Sequence, residues 1–283
     1  MSAYFDLLKD FEEVEALLKA NNVPTKPTFV VWPGRSSLDE FTEHSIVPTQ
    51  FSPFGFTADA TPGSLEAVRH RRAGVQDEGS QLVAYLFAQA AAQSKSWLDI
   101  CAGPGGKAAL LSSLAYQSNH PFTANELSQV RADLVSQVVG DSQVWVGDAR
   151  EIAERNQSFD AILADVPCTG LGALRRRPEV RWRRSVTDLR ELTALQRELS
   201  DSAVSILNEN GIFAYATCSP HFAETTVAVA DILKAHPNLE QIDLAEYLPA
   251  GLDGALRGRS LSLWTHRHET DAMFMAVFRK KGA

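Results

Sequence analysis

The pattern of apolar and polar residues alternates between strand-like and helix-like stretches over most of the chain. From residue 97 onward, short continuous apolar runs are separated by stretches whose apolar residues recur every three or four positions. The first kind is typical of strands buried on both faces, and the second is typical of helices. The predicted strands are SWLDICA, FTANE, VWVGD, FDAILADVP, GIFAYATCS, LEQIDL and DAMFMAVFRK, and the predicted helices include QDEGSQLVAYLFAQAAAQ, GKAALLSSLAYQ, SQVRADLVSQVV and TDLRELTALQRELSDSAVSILNEN. This alternation predicts an α/β fold with a doubly wound, mostly parallel seven-stranded sheet.

The first 72 residues follow a different pattern. Residues 2–20 place apolar side chains at helical spacing, and the run NNVPTKPT that follows predicts the end of this helix. Residues 25–70 are rich in proline, glycine, serine and threonine around the apolar run FVVW, which predicts a small irregular unit with one or two strands. We therefore expect a small α+β subdomain over residues 1–72 and a main domain over residues 73–283.

The composition excludes several classes of protein. A chain of 283 residues that is 45% hydrophobic can bury one full core and an accessory unit. No apolar run reaches the roughly 18 residues of a membrane span, and the acidic, helical start is unlike a signal peptide, so we expect a cytoplasmic protein. Three cysteines make no disulfide framework, and no spacing of cysteine or histidine predicts a metal site.

Charge is distributed unevenly along the chain. The net charge of −8 argues against a nucleic-acid binder with a uniformly positive surface. However, the run RRRPEVRWRR places six arginines around Trp182, namely Arg175, Arg176, Arg177, Arg181, Arg183 and Arg184. Arginine suits both phosphate contacts and stacking on bases, so one hypothesis is a binding patch for a nucleic acid. The alternative is a solvated charge run, with Trp182 filling the core beneath it.

Acidic residues and glycines follow the first three predicted strands of the main domain. In a doubly wound sheet, ligands bind beyond the carboxyl ends of the strands. The first strand leads through Asp99 into a loop with three glycines before a helix, which allows close backbone approach to a ligand. Glu126 ends the second strand, where an acid can hold ribose hydroxyls, and Asp148 ends the third, within reach of an adenine amino group. The loop lacks the GxGxxG spacing of nicotinamide sites, so this pattern favours S-adenosylmethionine.

Two cysteines stand where neighbouring strands end. Cys168 follows the strand FDAILADVP, and Cys218 follows GIFAYAT. Each alone would be interpreted as a small core residue. Because both should face the same cleft, downstream of the glycine loop, we interpret the pair as functional. Position along the chain does not distinguish which of them would be a nucleophile.

Three motifs, DICAGPGGK, ADVPCTGLGALRRRPEVRW and YATCSPHFAET, in this order, resemble the RNA cytosine-5 methyltransferases of the NOL1/NOP2/Sun family, whose bacterial members include the 16S ribosomal RNA enzymes. The similarity runs from about Gly74 to the C-terminus. The resemblance implies a Rossmann-like, class I S-adenosylmethionine-dependent methyltransferase domain. From the length of the sequence we expect no helical NusB-like domain of the kind that some members carry in front. Where members usually show an Arg-Val-Asn run, this chain has VVW, and Val166 and the run TDAMF also differ from the usual pattern.

The resemblance also implies roles for individual residues. Cys218 would attack carbon 6 of the cytosine, and Cys168 would act in product release. Asp165 would bind either the cytosine edge or the methionine end of the cofactor. The GGK lysine, Lys107, would lie near the cofactor, although it could simply start a helix, and Cys101 could be a packed small residue. The complete expected cofactor site is Cys101, Ala102, Gly103, Pro104, Gly105, Gly106, Lys107, Glu126, Arg131, Asp148 and Asp165.

The expected partner is RNA, either ribosomal RNA or the small ribosomal subunit, bound by a monomer with its subdomain over residues 1–72 contacting the RNA. Alternatives remain open: a tRNA cytosine-5 methyltransferase, a catalytically silent RNA-binding scaffold, or an enzyme that methylates exocyclic amino groups. The last class usually carries Asn/Asp-Pro-Pro-aromatic where this chain has DVPC. A dehydrogenase fits the pattern less well.

Overall fold

The N-terminal part of the chain forms a helix and a small sheet. The computed structural model describes Leu8 and residues 10–282. Helix α1 (Phe11–Ala20) begins where the Asp10 side chain accepts hydrogen bonds from the backbone of Glu12 and Glu13. The predicted start of this helix at Ser2 lies outside the described residues. Four strands follow, β1 (Thr28–Val31), β2 (Val47–Pro48), β3 (Gly55–Thr57) and β4 (Ala73–Val75), in an antiparallel sheet of order β2-β3-β1-β4.

This small sheet changes two expectations. It has four strands where the sequence predicted one or two, because β2 and β3 are too short to show a period. Strand β4 pairs with β1 although it follows the predicted boundary at residue 72. We therefore propose that the subdomain extends to Val75. Its own core stacks Phe29 on Phe56, with ring centroids 5.2 Å apart.

The main sheet contains every strand predicted for it. These are β5 (Trp97–Asp99), β6 (Phe122–Glu126), β7 (Gln143–Val146), β8 (Phe159–Asp165), β9 (Leu207–Thr217), β10 (Leu239–Gln241) and β13 (Phe274–Lys280). A short hairpin of β11 (Leu256–Arg257) and β12 (Ser260–Ser262), which the sequence did not predict, adds two strands at one edge. The order is β11-β12-β13-β9-β8-β5-β6-β7, with β10 pairing β13. Strands β5 to β9 are mutually parallel and β13 is antiparallel to β9, which confirms the predicted mostly parallel sheet.

The short helix α2 (Glu66–Arg69) packs in the small subdomain. Helices cover both faces of the main sheet, namely α3 (Glu78–Ala90), α4 (Gly106–Gln117), α5 (Gln129–Ser136), α7 (Val186–Ser205) and α8 (Thr226–Ala235), and the short helix α6 (Val180–Arg183) lies between β8 and α7 in the chain. The last short helix, α9 (Thr265–His268), contacts α1. The predicted helix over residues 187–210 is too long at its end, because Leu207 already pairs with Phe159 in the sheet. Two apolar clusters, one on each face, bury the strands.

The strand order determines where a ligand can bind. From β5 the chain runs outward through β6 and β7, then returns to place β8 on the other side of β5. The crevice beyond the carboxyl ends of β5 and β8 is therefore the switch point of the sheet, where α/β proteins bind ligands. Asp99, Glu126 and Asp165 end the strands β5, β6 and β8 at this edge.

Candidate functional site

A cleft of about 580 Å³ opens at the switch point. Its walls include ten of the predicted catalytic and cofactor residues and two of the predicted arginines: Cys101, Gly103, Pro104, Lys107, Glu126, Arg131, Asp148, Asp165, Cys168, Cys218, Arg177 and Arg184. Ala102, Gly105 and Gly106 belong to the same loop without lining the cleft. A larger cavity of about 620 Å³ lies near the amino ends of β6 and β7, and its walls contain none of these residues. The chemistry of the walls therefore identifies the smaller cleft as the candidate site.

The glycine loop is held against the end of β6. The backbone N–H of Gly103 donates to Glu126 Oε2 at 3.0 Å, and a Cβ on Gly103 would lie only 2.2 Å from that oxygen. Gly105, at φ +115°, caps the N-terminus of α4 in a conformation that side chains rarely adopt. Arg131 donates to the Gly103 carbonyl and lies 3.4 Å from Glu126 Oε2. Only glycine at residue 103 allows this close approach.

The acidic residues of the cleft fit an adenosyl group. The Glu126 side chain is only 5% exposed and stands at the end of β6, and Asp148 stands just after β7. A carboxylate has the acceptor oxygens that ribose hydroxyls and an exocyclic amine need. Arg150, which the sequence analysis missed, also lines the cleft and forms a bidentate hydrogen bond with Asp148. This hydrogen bond holds the pKa of Asp148 below its usual value.

A buried ion pair lies between the glycine loop and the cysteines. Lys107 Nζ donates to Asp165 Oδ2 at 2.8 Å. Burial alone would lower the pKa of Lys107, but the Asp165 carboxylate outweighs it and the pKa is raised. Beneath the loop, burial followed by the nearby charge of Asp165 raises the pKa of Asp99 to about 7. Lys107 is therefore a stable cation beside the cleft.

The two predicted cysteines face each other. Their sulfurs lie 3.3 Å apart, well beyond a disulfide bond, and both thiols are free. The pKa of Cys218 is lowered, mainly by its hydrogen bond with Cys168 and also by the charge of Lys107, while burial and the charges of Asp165 and Asp271 oppose this. The pKa of Cys168 is raised by the same hydrogen bond, by burial and by the charges of Cys218 and Glu224. The 3.3 Å contact itself allows either thiol to donate, and the charges around the pair favour Cys218 as the thiolate.

A close backbone contact fixes the end of β9 behind the cysteines. The N–H of Gly172 donates to the Cys218 carbonyl at 2.9 Å, and the N–H of Ala272 donates to the Gly172 carbonyl at 2.9 Å. A Cβ on Gly172 would lie 2.0 Å from the Ala272 carbonyl oxygen. The loop after Cys168 therefore packs against both Cys218 and the entry to β13.

The six predicted arginines divide into two groups. Arg175, with an 11% exposed side chain, lies 3.8 Å from Asp77 Oδ2, and Arg176 forms a bidentate pair with buried Asp271. Burial and the neighbouring charge of Asp271 raise the pKa of Asp77 to about 6. These two arginines therefore hold the loop to the protein interior, a role that the sequence analysis did not foresee.

The other four arginines, all among the described residues, form no ion pair with Asp77 or Asp271, and two of them, Arg177 and Arg184, line the cleft. Arg184 Nε donates to the Thr169 carbonyl at 3.2 Å, and an Arg181 nitrogen donates to the Asn21 carbonyl at 3.0 Å. Arg177 and Arg183 are exposed. Trp182 is 79% exposed, so the alternative that it fills the core is wrong.

A buried polar network behind Cys168 escaped the sequence analysis. It consists of Glu224, Thr169, Gln196, Tyr215 and Ser219, which are joined by hydrogen bonds. The available signal was a glutamate six residues after Cys218, within the quoted run TCSPHFAET. Among the described residues, no helix is long and apolar enough to cross a membrane, and no three His, Cys, Asp or Glu side chains cluster as a metal site would need.

Comparison with known proteins identifies the family. The family model described as 16S rRNA methyltransferase RsmB/F matches residues 86–279. A Mycobacterium tuberculosis protein that carries the general description methyltransferase is 47% identical over 82% of this chain and 51% of its own length. Ribosomal RNA small subunit methyltransferase B of Pseudomonas putida is 35% identical over 60% of this chain and 40% of its own length. The chain thus spans about half the length of the M. tuberculosis relative.

Solved structures support the fold. NSun6 from Pyrococcus horikoshii, solved with the S-adenosylmethionine analogue SFG, matches 99% of this chain and 97% of its own with a TM-score of 0.82 at 16% identity. A methyltransferase homologue from the same organism gives a TM-score of 0.76 at 21% identity over 99% of this chain and 93% of its own. At these identities the likeness shows the fold alone. Because the family model matches more than half of the chain, the chain belongs to the 16S rRNA methyltransferase RsmB/F family of S-adenosylmethionine-dependent methyltransferases.

Proposed function

We propose that the protein transfers a methyl group from S-adenosylmethionine to carbon 5 of a cytosine in RNA, through a covalent bond between Cys218 and the base. One observation carries this proposal: two thiols stand 3.3 Å apart in the cleft that also holds the glycine loop. A methyltransferase acting on an amino nitrogen needs no nucleophile, because the nitrogen lone pair attacks the methyl group directly. Paired thiols beside the cofactor loop therefore favour carbon methylation.

The cytosine ring explains the need for a thiolate. Carbon 5 belongs to an aromatic ring and is a poor nucleophile. Addition of the Cys218 thiolate to carbon 6 makes carbon 5 enamine-like, so that it can take a methyl group. The proton on carbon 5 then leaves, and elimination returns the electron pair of the S–C bond to Cys218 as the thiolate. Cysteine suits both steps because it is a good nucleophile and a tolerable leaving group.

The residues around the cysteines have distinct proposed roles. Bound S-adenosylmethionine would supply the electrophilic methyl group, held by the loop from Cys101 to Lys107 and by Glu126, Arg131 and Asp148. Lys107 stabilises negative charge near Cys218 and orients Asp165 through their 2.8 Å hydrogen bond. Asp165 would hold the cytosine edge or the methionine end of the cofactor. Cys168 would act at product release.

The proposed substrate is 16S ribosomal RNA, alone or in the small subunit, bound by a monomer in the cytoplasm. The name of the Pseudomonas putida relative supports this choice. A tRNA cytosine and a silent scaffold are the alternatives. The subdomain, over residues 1–75, is proposed to contact the RNA, as the family resemblance implies. Arg35 attaches this subdomain to the main domain by donating to the Ser112 hydroxyl and the Val138 carbonyl.

The test uses purified protein with S-adenosylmethionine and either 16S ribosomal RNA, small subunits or tRNA. Bisulfite sequencing then identifies any 5-methylcytosine. We expect one methylated cytosine in 16S RNA or in the subunit. Methylation of tRNA alone would show that tRNA is the substrate. Cofactor binding without methylation of any of the three RNA substrates would favour the catalytically silent RNA-binding scaffold.

Substitution of the cofactor acids tests the cleft. We expect Glu126→Ala and Asp148→Ala each to weaken S-adenosylmethionine binding by about 1–3 kcal/mol, the cost of losing a buried hydrogen bond to a ligand. Isothermal calorimetry measures this directly. The control is Glu240→Ala, an exposed acid on β10. Binding as tight as the parent's in both test variants would place the cofactor elsewhere.

Substitution of the outer arginines tests the RNA patch. Combined replacement of Arg177, Arg183 and Arg184 by alanine should weaken RNA binding and flatten its salt dependence, with the slope falling by up to about 0.9 for each phosphate that the variant no longer neutralises. Arg175 and Arg176 stay in place, because their replacement would also break internal ion pairs. The control is the exposed Arg279→Ala. An unchanged salt dependence of RNA binding would show that these arginines are a solvated charge run and do not contact the RNA.

A further inference from the structure

A buried carboxylate lies directly behind Cys168. Glu224 ends a short 3-10 turn (Phe222–Glu224) and its residue is 0% exposed. Its Oε1 accepts hydrogen bonds from the Thr169 N–H at 2.8 Å and from Gln196 Nε2 at 3.0 Å. Its Oε2 accepts from the Thr169 hydroxyl at 2.5 Å. Three donors converge on two oxygens, which is the complement of an ionised carboxylate.

This carboxylate is held by neutral donors. Among the described residues, no lysine, arginine or histidine forms an ion pair with Glu224, and the neighbouring Arg197 is exposed and paired with Asp231 at 2.9 Å. The Tyr215 hydroxyl lies 3.0 Å from Gln196 Oε1 and 2.9 Å from the Glu224 carbonyl oxygen, and it can donate its one proton to either. Donation to Gln196 Oε1 directs the Gln196 amide nitrogen toward the Glu224 side chain. A buried charge without a counter-ion is costly. Its electrostatic effect on nearby groups is correspondingly large.

The two cysteines stand in different surroundings. Cys168 is joined to the carboxylate through the next residue, Thr169, and the other charged or titratable groups near it are Cys218, Tyr215 and Arg184. The Arg184 guanidinium lies 3.5 Å from the Cys168 carbonyl oxygen, but its side chain is 38% exposed and therefore screened by solvent. Cys218 lines the cleft with Lys107 and Asp165, whose charges act on its thiol in opposite directions, and the paired charges of Asp271 and Arg176 act on it as well. A fixed negative charge disfavours a second one nearby, so the buried Glu224 carboxylate opposes the ionisation of Cys168.

We propose that Glu224 is a positioning residue that decides which of the two cysteines becomes the thiolate. Its charge keeps the proton on Cys168, the Cys168 S–H then donates to Cys218 across 3.3 Å, and Cys218 carries the negative charge. Glu224 touches neither substrate nor cofactor and acts through Cys168. The inference rests on the proposed thiolate chemistry, but its test needs neither RNA nor cofactor.

The test measures thiol ionisation directly. Initial rates of alkylation by iodoacetamide at each cysteine, read by peptide mass spectrometry over a range of pH, give a midpoint for Cys168 and one for Cys218, both of which line the cleft. In the parent protein, the Cys168 midpoint should be the higher. In Glu224→Gln, which keeps the shape and can keep the hydrogen bonds from Thr169 N–H and Gln196, the Cys168 midpoint should fall by about one pH unit or more.

Three further variants separate the effect of charge from that of structure. Glu209→Gln removes the same charge at an exposed site on β9, where Glu209 pairs with Lys280, and should leave both midpoints unchanged. Thr169→Val removes a hydrogen bond to Glu224 but keeps its charge, so the order of the midpoints should persist. Glu224→Asp should likewise preserve the order.

Three results would overturn the proposal: Cys218 midpoints above those of Cys168 in the parent, unchanged midpoints in folded Glu224→Gln, or the same shift in Thr169→Val as in Glu224→Gln. The first requires no variant, so the proposal can be contradicted even if Glu224→Gln does not fold. If the midpoints behave as expected while no RNA is methylated, the proposed function fails and the assignment of Glu224 stands.

Discussion

Cys218→Ala is expected to abolish methyl transfer to RNA, with a loss of more than about 1,000-fold, because the variant removes the thiolate that attacks carbon 6. The Cys218 thiolate acts only on the base, so the affinity for S-adenosylmethionine should stay close to the parent's. Replacement of the –CH2SH side chain by –CH3 removes a single heavy atom, so the free energy of unfolding should also change little. Transfer of labelled methyl groups to RNA, calorimetry with the cofactor and denaturant unfolding measure the three quantities.

Substantial methyl transfer by Cys218→Ala would contradict covalent catalysis through this residue. A joint loss of activity, cofactor affinity and folding would show instead that Cys218 has a packing role. The second outcome would have a structural basis, because the Cys218 side chain packs against the apolar cluster on one face of the sheet.

Cys168→Ala is expected to accumulate a covalent complex between protein and RNA. If Cys168 acts at product release, the variant can still add Cys218 to the base but stalls before elimination. The trapped complex should appear as a shifted gel band that survives denaturant and disappears on digestion with ribonuclease. The matched control is the double variant Cys168→Ala with Cys218→Ala, in which no such band should form.

The opposite pattern would reverse the two roles. A covalent complex in Cys218→Ala, together with an inactive Cys168→Ala that forms none, would make Cys168 the nucleophile. It would also contradict the assignment of Glu224, whose charge opposes a thiolate at Cys168. Full activity without a trapped complex in both variants would exclude thiolate catalysis altogether.

Local pattern was sufficient for the main domain because its strands are buried on both faces. The runs SWLDICA and FDAILADVP are continuous in apolar residues, and both became interior strands, β5 and β8. The same reasoning failed where elements are short or exposed. The hairpin of β11 and β12 and the strands of the small sheet contain only two to four residues each, too few for a period to emerge. The end of α7 was misplaced because Leu207 to Asn210 could extend a helix, and pairing with β8 decided otherwise.

In the candidate site too, some features follow from the sequence and others only from the tertiary structure. The sequence by itself determined that glycines, acids and cysteines follow particular strands, and parallel strands bring their carboxyl ends to one edge, so these residues had to meet in one cleft. Only the tertiary structure brings the two thiols to 3.3 Å and places Lys107 and the Glu224 carboxylate around them, and the proposed order of their ionisation rests on these contacts. The tertiary structure was also needed to distinguish the internal ion pairs of Arg175 and Arg176 from the other arginines. Their partners, Asp77 and Asp271, are buried and lie far from them in the sequence. Hydrophobic periodicity reports which face of an element is buried, whereas the charge on a buried group depends on neighbours that the folded chain brings from elsewhere.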